Sequence, residues 1–390
     1  MILLDKPYIS DFLLQTIQEN DLEIVATPEA KKLVSNNSLN WISEKEARLK
    51  LDKEPHTKVY TNSENSIAWI ESNFKNSTFP EKIELFKNKV AFRTLIKDYF
   101  PNYFFKGIRQ NKLKKVKENE LIFPLVLKPA VGFFSLAVHK VDNFKEWQEA
   151  LSKIEHEIEQ FRGLYPKKVI NTDIFIAEEF IAGEEYAVDA YFDTHGNPVL
   201  LNILHHVFSS AKDVSDRIYT TSVEIIKEHK TEVTAFLKLI GTKTGLKNFP
   251  IHLEIRINVA GKIVPIEVNP LRFGGWCTTA DLAGFAYGFN PYLCFLKEDK
   301  PDWESIFTYK KDKLYSLIVL DNNSGISEKD IRYFDIEKLA SEFENTLHYR
   351  KVDYSKYPVF GFLFTETSVG NEKELVRILT SNLKAYMQLK

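Results

Sequence analysis

Residues 251–275, IHLEIRINVAGKIVPIEVNPLRFGG, leave the chain little choice of local fold. Two alternating runs flank Asn258-Val259-Ala260-Gly261, and the glycine can supply the positive φ that a tight turn needs. This is a β-hairpin. With those four residues as the turn, residue 254 pairs with 265 and 252 with 267. One face then carries His252, Glu254, Arg256, Ile263, Pro265, Glu267 and Asn269. The other carries Leu253, Ile255, Ile257, Val264, Ile266 and Val268, all apolar, and is the core face. Glu254 and Glu267 become diagonal neighbours, about 7 Å apart at Cα, with Asn269 two residues on. Like charges gathered on one sheet face destabilise it. A hard cation such as Mg²⁺ takes carboxylate and amide oxygens and would offset them. A solvated outer face is the other arrangement compatible with this alternation.

The rest of the composition narrows the class. A chain of 390 residues suits two or three domains and can bury a sizeable core. The formal charge of −2 gives no footprint for nucleic acid. The two cysteines, Cys277 and Cys294, make neither a disulfide framework nor a zinc spacing, which fits a reducing compartment. No apolar run approaches the roughly 20 residues of a membrane span. The N-terminus MILLDKPYISDF lacks the basic and apolar regions of a signal peptide, so the expected location is cytoplasmic.

Residues 1–85 read as a small α/β unit with a parallel sheet. Strands are expected at 1–4, 22–26 and 58–61, with helices opened by Ser10, by a Ser43/Glu46 capping box and by Ser63. The absence of G-x-G-x-x-G argues against a dinucleotide site there. Residues 80–100 follow a helical pattern that includes Lys89 in KVAFRTLIKDYFP. LIFPLVLKPAVGFFSLAVHKV, from Leu121, reads as strand, loop and strand, with Lys128 ending the first strand and Ser135 in the loop. An amphipathic helix spans 143–162. DIFIAEEFIAGEEYAVDAYFD, from Asp173, gives two strands around a bend at Ala182-Gly183. His205 and His206 fall on opposite strand faces, which excludes them as a metal pair. Residues 209–221 form a polar loop containing Lys212 and Arg217, and a helix follows over about 231–245. Cys277 has no base beside it and reads as a packing residue. The tail promises strands at 314–320 and 359–365 and a helix over 372–387.

In this order the motifs resemble the ATP-grasp ligases. The resemblance covers roughly residues 82–295 and is most specific at Glu-Val-Asn-Pro-Leu-Arg-Phe-Gly-Gly. It implies an ATP-grasp fold, α/β and α+β, with a small N-terminal α/β domain (1–85), an ATP-grasp domain (86–300, its lid about 115–180) and a C-terminal α+β extension (301–390). It implies ATP and Mg²⁺ (or Mn²⁺) as cofactors, the metal on Glu254, Glu267 and Asn269. Lys89 and Lys128 would meet phosphates, and the loop with Ser135 would close over them, although Phe133 and Phe134 stand where the family favours Gly and Ser. The backbone of Glu179, Phe180 and Ile181 would bond the adenine edge. Glu178 would lie near its exocyclic amine, and Glu185 would accept the ribose hydroxyls. Lys212 or Arg217, with Lys212 favoured, would reach the γ-phosphate. Arg272 would bind an acyl phosphate or a substrate carboxylate; the family more often writes N-P-R, so Leu271 is an insertion.

The implied reaction joins a small-molecule carboxylate to an amine through an acyl phosphate and releases ADP. The look is closest to the amino-acid or dipeptide ligase branch. Small-molecule acid and amine partners are expected, with no nucleic acid, no membrane, and a homodimer as an option. A non-catalytic nucleotide- or metabolite-binding module, and a phosphotransferase that stops at the phosphorylated product, are the alternatives.

Overall fold

The computed structural model describes residues 1–132, 137–161, 171–210, 213 and 215–390. At the N-terminus, β1 (Ile2–Leu3), β2 (Ile24–Val25), β3 (Trp41–Ile42) and β4 (Tyr60–Thr61) form a parallel sheet in the order β3-β2-β1-β4. The helix starts expected here are present. Ser10 Oγ accepts from the Leu13 N–H at 3.0 Å, and Ser43 and Glu46 close a reciprocal capping box. β3 was not expected. It is a two-residue, half-buried edge, which leaves no periodicity to read.

The helical stretch over 80–100 divides into Phe79–Lys87 and Lys89–Ile96. Asn88 is extended between them, and its side chain accepts from the N–H groups of Val90 and Ala91. Asn is a favoured N-cap, so Lys89 begins a capped helix.

A second sheet holds β5 (Phe105–Arg109), β6 (Leu125–Val131), β7 (His139–Val141) and β8 (Asn171–Glu179), antiparallel in the order β5-β8-β6-β7. The helix Phe144–Phe161 covers it, and Trp147, Leu151 and Ile154 share a separate core with Leu125, Leu127 and Phe175. Lys128 lies inside β6, which runs on to Val131, instead of at a strand end.

Then come β9 (Glu184–Phe192), β10 (Pro198–Val207), β11 (Ile218–Thr221), β12 (Phe249–Ile257), β13 (Ile263–Pro270), β14 (Lys313–Asp321), β15 (Ile331–Phe334), β16 (Asn345–Lys351), β17 (Val359–Ser368) and β18 (Met387–Leu389). Eight of these form one antiparallel sheet, β13-β12-β9-β10-β11-β14-β17-β16, while β15 and β18 pair apart. The tail strands therefore extend the hairpin's own sheet past residue 300. β11 falls in the stretch expected to be loop. The helix preceding the hairpin is Val223–Thr244, longer than expected because Ser222 caps it; Gly245, at φ +65°, ends it. The final helix stops at Thr380, short of the expected 387, and the chain turns through Leu383 at φ +62° into β18.

The hairpin is present with a corrected register. Its loop takes in Lys262, whose carbonyl accepts from the Asn258 N–H at 3.2 Å. Ile257 pairs with Ile263 and Ile255 with Pro265; a bulge then sets Glu254 opposite Glu267 and His252 opposite Asn269. Ile263 and Pro265 thus join the core face, Val264 moves to the face of Arg256, and Ile266 is the extra residue. The two glutamates end up closer than the diagonal expectation.

Candidate active site

The directly opposed Glu254 and Glu267 form a like-charge pair under the helix Lys89–Ile96. Lys89 Nζ lies 2.7 Å from Glu267 Oε2 and donates at 3.3 Å to the Gly132 carbonyl, just past the end of β6. Asn269 Nδ2 donates to Glu267 Oε1 at 3.3 Å. Burial and the Glu267 carboxylate push Glu254 well above the ordinary carboxylate range. Against burial, Lys89, supported by Lys87 and Lys128, brings Glu267 down to about 2. Against burial as well, Glu267, Glu254 and Glu178 hold the Lys89 ammonium above its usual range.

The contrast between the two glutamates bears on a metal. Among the described residues, no lysine or arginine forms an ion pair with Glu254; its one such neighbour is His252 Nε2 at 3.8 Å. His252 Nδ1 is 2.7 Å from buried Asp189. No group of three or more His, Cys, Asp and Glu side chains is arranged to hold a metal among the described residues. The donor set here is two carboxylates and an amide, which suits a hard cation that shares its remaining positions with phosphate oxygens.

A second charge cluster joins the helix to the second sheet. Glu178 receives Lys128 Nζ at 2.7 Å on one oxygen and Arg93 Nε at 2.6 Å on the other. It is almost wholly buried, yet against that burial Arg93 and Lys128 bring its carboxyl down to about 2. The Arg93 guanidinium stacks on Tyr103 at 4.7 Å, and the Tyr103 hydroxyl donates to the Glu179 carbonyl at 2.8 Å. Glu178 is thus a clamp whose two oxygens are already engaged.

The bend between β8 and β9 is pinned from both sides. The N–H groups of Glu179 and Phe180 donate to the carbonyls of Phe104 and Pro124. Arg256, from the hairpin, donates to the Ile181 carbonyl at 2.8 Å and lies over the Phe180 ring. It also donates to Glu185 Oε2 at 3.1 and 2.9 Å, and His206 Nδ1 is 3.0 Å from Glu185 Oε1. His205 pairs instead with Glu184, on the opposite face as expected. Against burial, His206 and Arg256 lower the Glu185 carboxyl.

Arg272 reaches into the N-terminal unit. It donates to Glu64 at 2.5 Å and to the Phe273 carbonyl at 2.9 Å, and Lys87 pairs with the other Glu64 oxygen. Two of its five N–H donors are engaged in this way. Against burial, Glu64, Glu254 and Glu267 raise its pKa. Ser135 and Lys212 lie outside the described residues. Arg217, the other candidate for the γ-phosphate, is fully buried and pairs with Asp321 at 2.8 Å. Cys277 is buried, and its thiol is pushed up to about 11 by that burial.

Lys89, Lys128, Glu178, Glu254, Glu267, Asn269 and Arg272 therefore surround one junction between the N-terminal unit, the second sheet and the eight-stranded sheet, with the 179–185 bend on its flank. Sequence reading missed Glu64, Lys87, Arg93 and Asp189. Spacing gave no signal for them, since their partners lie far along the chain; Arg256 and His252 were visible only as members of the hairpin's polar face.

Residues 121–280 match the ATP-grasp domain family. No curated protein matches the chain at the sequence level. Among solved structures, an L-amino acid ligase from Bacillus licheniformis superposes with a TM-score of 0.67 at 18% identity, covering 100% of this chain and 98% of that one. Biotin carboxylase from Campylobacter jejuni gives 0.63 at 13% identity, covering 100% and 92%. N5-carboxyaminoimidazole synthase from Aspergillus clavatus gives 0.62 at 13%, covering 97% and 98%.

Proposed function

The chain has the ATP-grasp fold, with a small N-terminal α/β unit and a C-terminal α+β extension, and from that premise we propose that it is an ATP-dependent ligase joining a small-molecule carboxylate to an amine. Amino-acid ligation is the favoured form, supported by the likeness to an L-amino acid ligase. The observation that carries the reading is the opposed Glu254–Glu267 pair ringed by Lys89, Lys128 and Arg272.

In the proposed reaction an oxygen of the acid attacks the γ-phosphorus, the bond to the β-phosphate oxygen breaks, and ADP leaves. The amine then adds to the acyl carbon, loses a proton, and expels inorganic phosphate. Lys89 and Lys128 hold phosphate oxygens; the roles of Ser135 and Lys212 toward the phosphates rest on the sequence resemblance. Arg272 offers its unengaged N–H donors to the acid's carboxylate. Glu178 fixes Lys128. The Glu179–Ile181 backbone borders the adenine, with the Phe180 ring against it. Glu185 keeps lone-pair capacity beyond its three protein contacts, chiefly on the oxygen facing His206, for the ribose hydroxyls. Glu254, Glu267 and Asn269 would hold Mg²⁺ or Mn²⁺, which supplies charge neutralisation at the phosphates when bound. The proposal needs no protein nucleophile, nucleic acid or membrane; no helix among the described residues is long and apolar enough to cross one. It includes a cytoplasmic location and a homodimer, which fractionation and sedimentation test.

A panel of acids crossed with amines, read by phosphate release from ATP, tests the function. Release that requires one acid, and that Glu267→Gln abolishes while the melting temperature holds, is the expected result. ATP binding without acid-dependent release would leave a binding module. A persistent phosphorylated product would make the protein a phosphotransferase.

A further inference from the structure

Three non-glycine residues around Arg272 hold left-handed backbone: Leu271 at φ +63°, Trp276 at +57° and Cys277 at +64°. A side chain crowds its own backbone there, so such residues persist only where the surroundings hold them. They sit in one turn, 271–277, between β13 and the helix Thr278–Tyr287.

The near end of the turn is held by backbone bonds. The Leu271 N–H donates to the Pro250 carbonyl, and the Leu271 carbonyl accepts from the Thr61 N–H, both at 2.9 Å. The middle is held by Asp189, which accepts from the Gly274 N–H at 3.0 Å; a Cβ on Gly274 would fall 2.1 Å from Thr279 Oγ1. The far end is held by Arg350 of β16. Its Nη1 donates to the Trp276 carbonyl at 2.6 Å, and its Nη2 pairs with Asp281. Asp281 also accepts from Ser10 and Tyr292, so it is itself fixed. The guanidinium lies over Tyr8 at 5.0 Å and Phe364 at 5.4 Å and is 3% exposed.

A buried cation at this point is costly, and an apolar residue of similar volume would ordinarily serve a core as well. What an apolar residue cannot supply is a rigid fork that reaches a carboxylate with one nitrogen and a backbone carbonyl with another; lysine carries a single ammonium and cannot reproduce that geometry. We infer that Arg350 is a positioning residue, whose bond to the Trp276 carbonyl keeps the 271–277 turn left-handed and so aims Arg272 at the acid. The inference rests on the role proposed for Arg272. It gives the C-terminal extension, where no chemistry is legible in the sequence, a part in binding the acid.

The test uses the full chain in three readouts: KM for the acid that triggers phosphate release, affinity for a non-hydrolysable ATP analogue, and amide hydrogen exchange over residues 271–278. Arg350→Lys keeps a charge for Asp281 and loses the fork. Its acid KM should rise about tenfold or more, with nucleotide affinity within about twofold and exchange faster in the turn. Adding Cys277→Gly should restore much of the KM, because glycine takes φ +64° without crowding.

Unchanged acid KM and unchanged exchange in Arg350→Lys would overturn the inference. So would a parallel loss of acid and nucleotide binding, which marks a purely structural role. Arg272→Met separates the premise from the inference. If that variant leaves the acid KM unchanged, the proposed role of Arg272 fails, whatever Arg350→Lys does.

Discussion

Glu178 sits between Lys128 and Arg93 with its side chain 3% exposed, and these two cations hold it charged against the cost of burial. Its carboxyl, brought down to about 2, lies below the ordinary carboxylate value of 4.5. The folded state therefore binds this proton less readily than the unfolded chain. The resulting stability, on the order of 3 kcal/mol, is complete above about pH 4.5 and is lost as pH falls toward 2. Glu178→Gln should remove that contribution and leave two buried cations short of a partner, costing roughly 3–5 kcal/mol at pH 7. Denaturant unfolding at several pH values measures both, and wild-type stability at pH 7 in the variant would contradict the clamp. Lys128→Ala should weaken nucleotide affinity about 10- to 100-fold, the worth of a charge-assisted hydrogen bond. Because Lys128 is buried inside β6 and paired to Glu178, the substitution should also lower the melting temperature, which a solvated strand-end lysine would not do. Alternation along the hairpin put Glu254, Glu267 and Asn269 on one face, where the structure also has them. Arg93 and Glu64 were illegible because their partners lie 85 and 208 residues away, and no local pattern encodes such a pairing.

At the scale of elements, turns and caps decided what could be read. Ser10, Ser43 and Asn290 open helices because each offers an oxygen to backbone N–H groups of the first turn, a requirement visible in sequence. The hairpin's existence was equally visible, but not its register. Whether Lys262 belongs to the loop and where the bulge falls depend on packing against β9, and one residue of slip exchanges the faces. The bend between β8 and β9 carries its own constraint. Gly183 has φ +124°, and a Cβ there would lie 2.3 Å from the Ile257 carbonyl oxygen. Gly183→Ala should cost roughly 2–3 kcal/mol and displace the bend from Arg256. The denaturant midpoint should fall with an unchanged slope, accompanied by weaker nucleotide binding. A neutral substitution would show that the bend tolerates movement and does not set the nucleotide's place.

Across the whole molecule, the candidate site is assembled around three of the sheets, and the β15–β18 pair stands apart from it. Glu64 comes from the N-terminal unit, Lys128 and Glu178 from the second sheet, and Glu254 and Glu267 from the eight-stranded sheet, which the tail strands complete. Composition and strand–helix alternation disclosed the N-terminal unit. They could not disclose that β14, β16 and β17 would share a sheet with the hairpin, since strand order across a sheet is a long-range matter. In the proposed reaction this assembly transfers the γ-phosphoryl group to a carboxylate. Hydroxylamine added to a reaction with ATP, a divalent cation and the acid found in the panel tests it most directly. The account predicts a hydroxamate of that acid with ADP formed in equal amount; AMP and pyrophosphate as the products would contradict it.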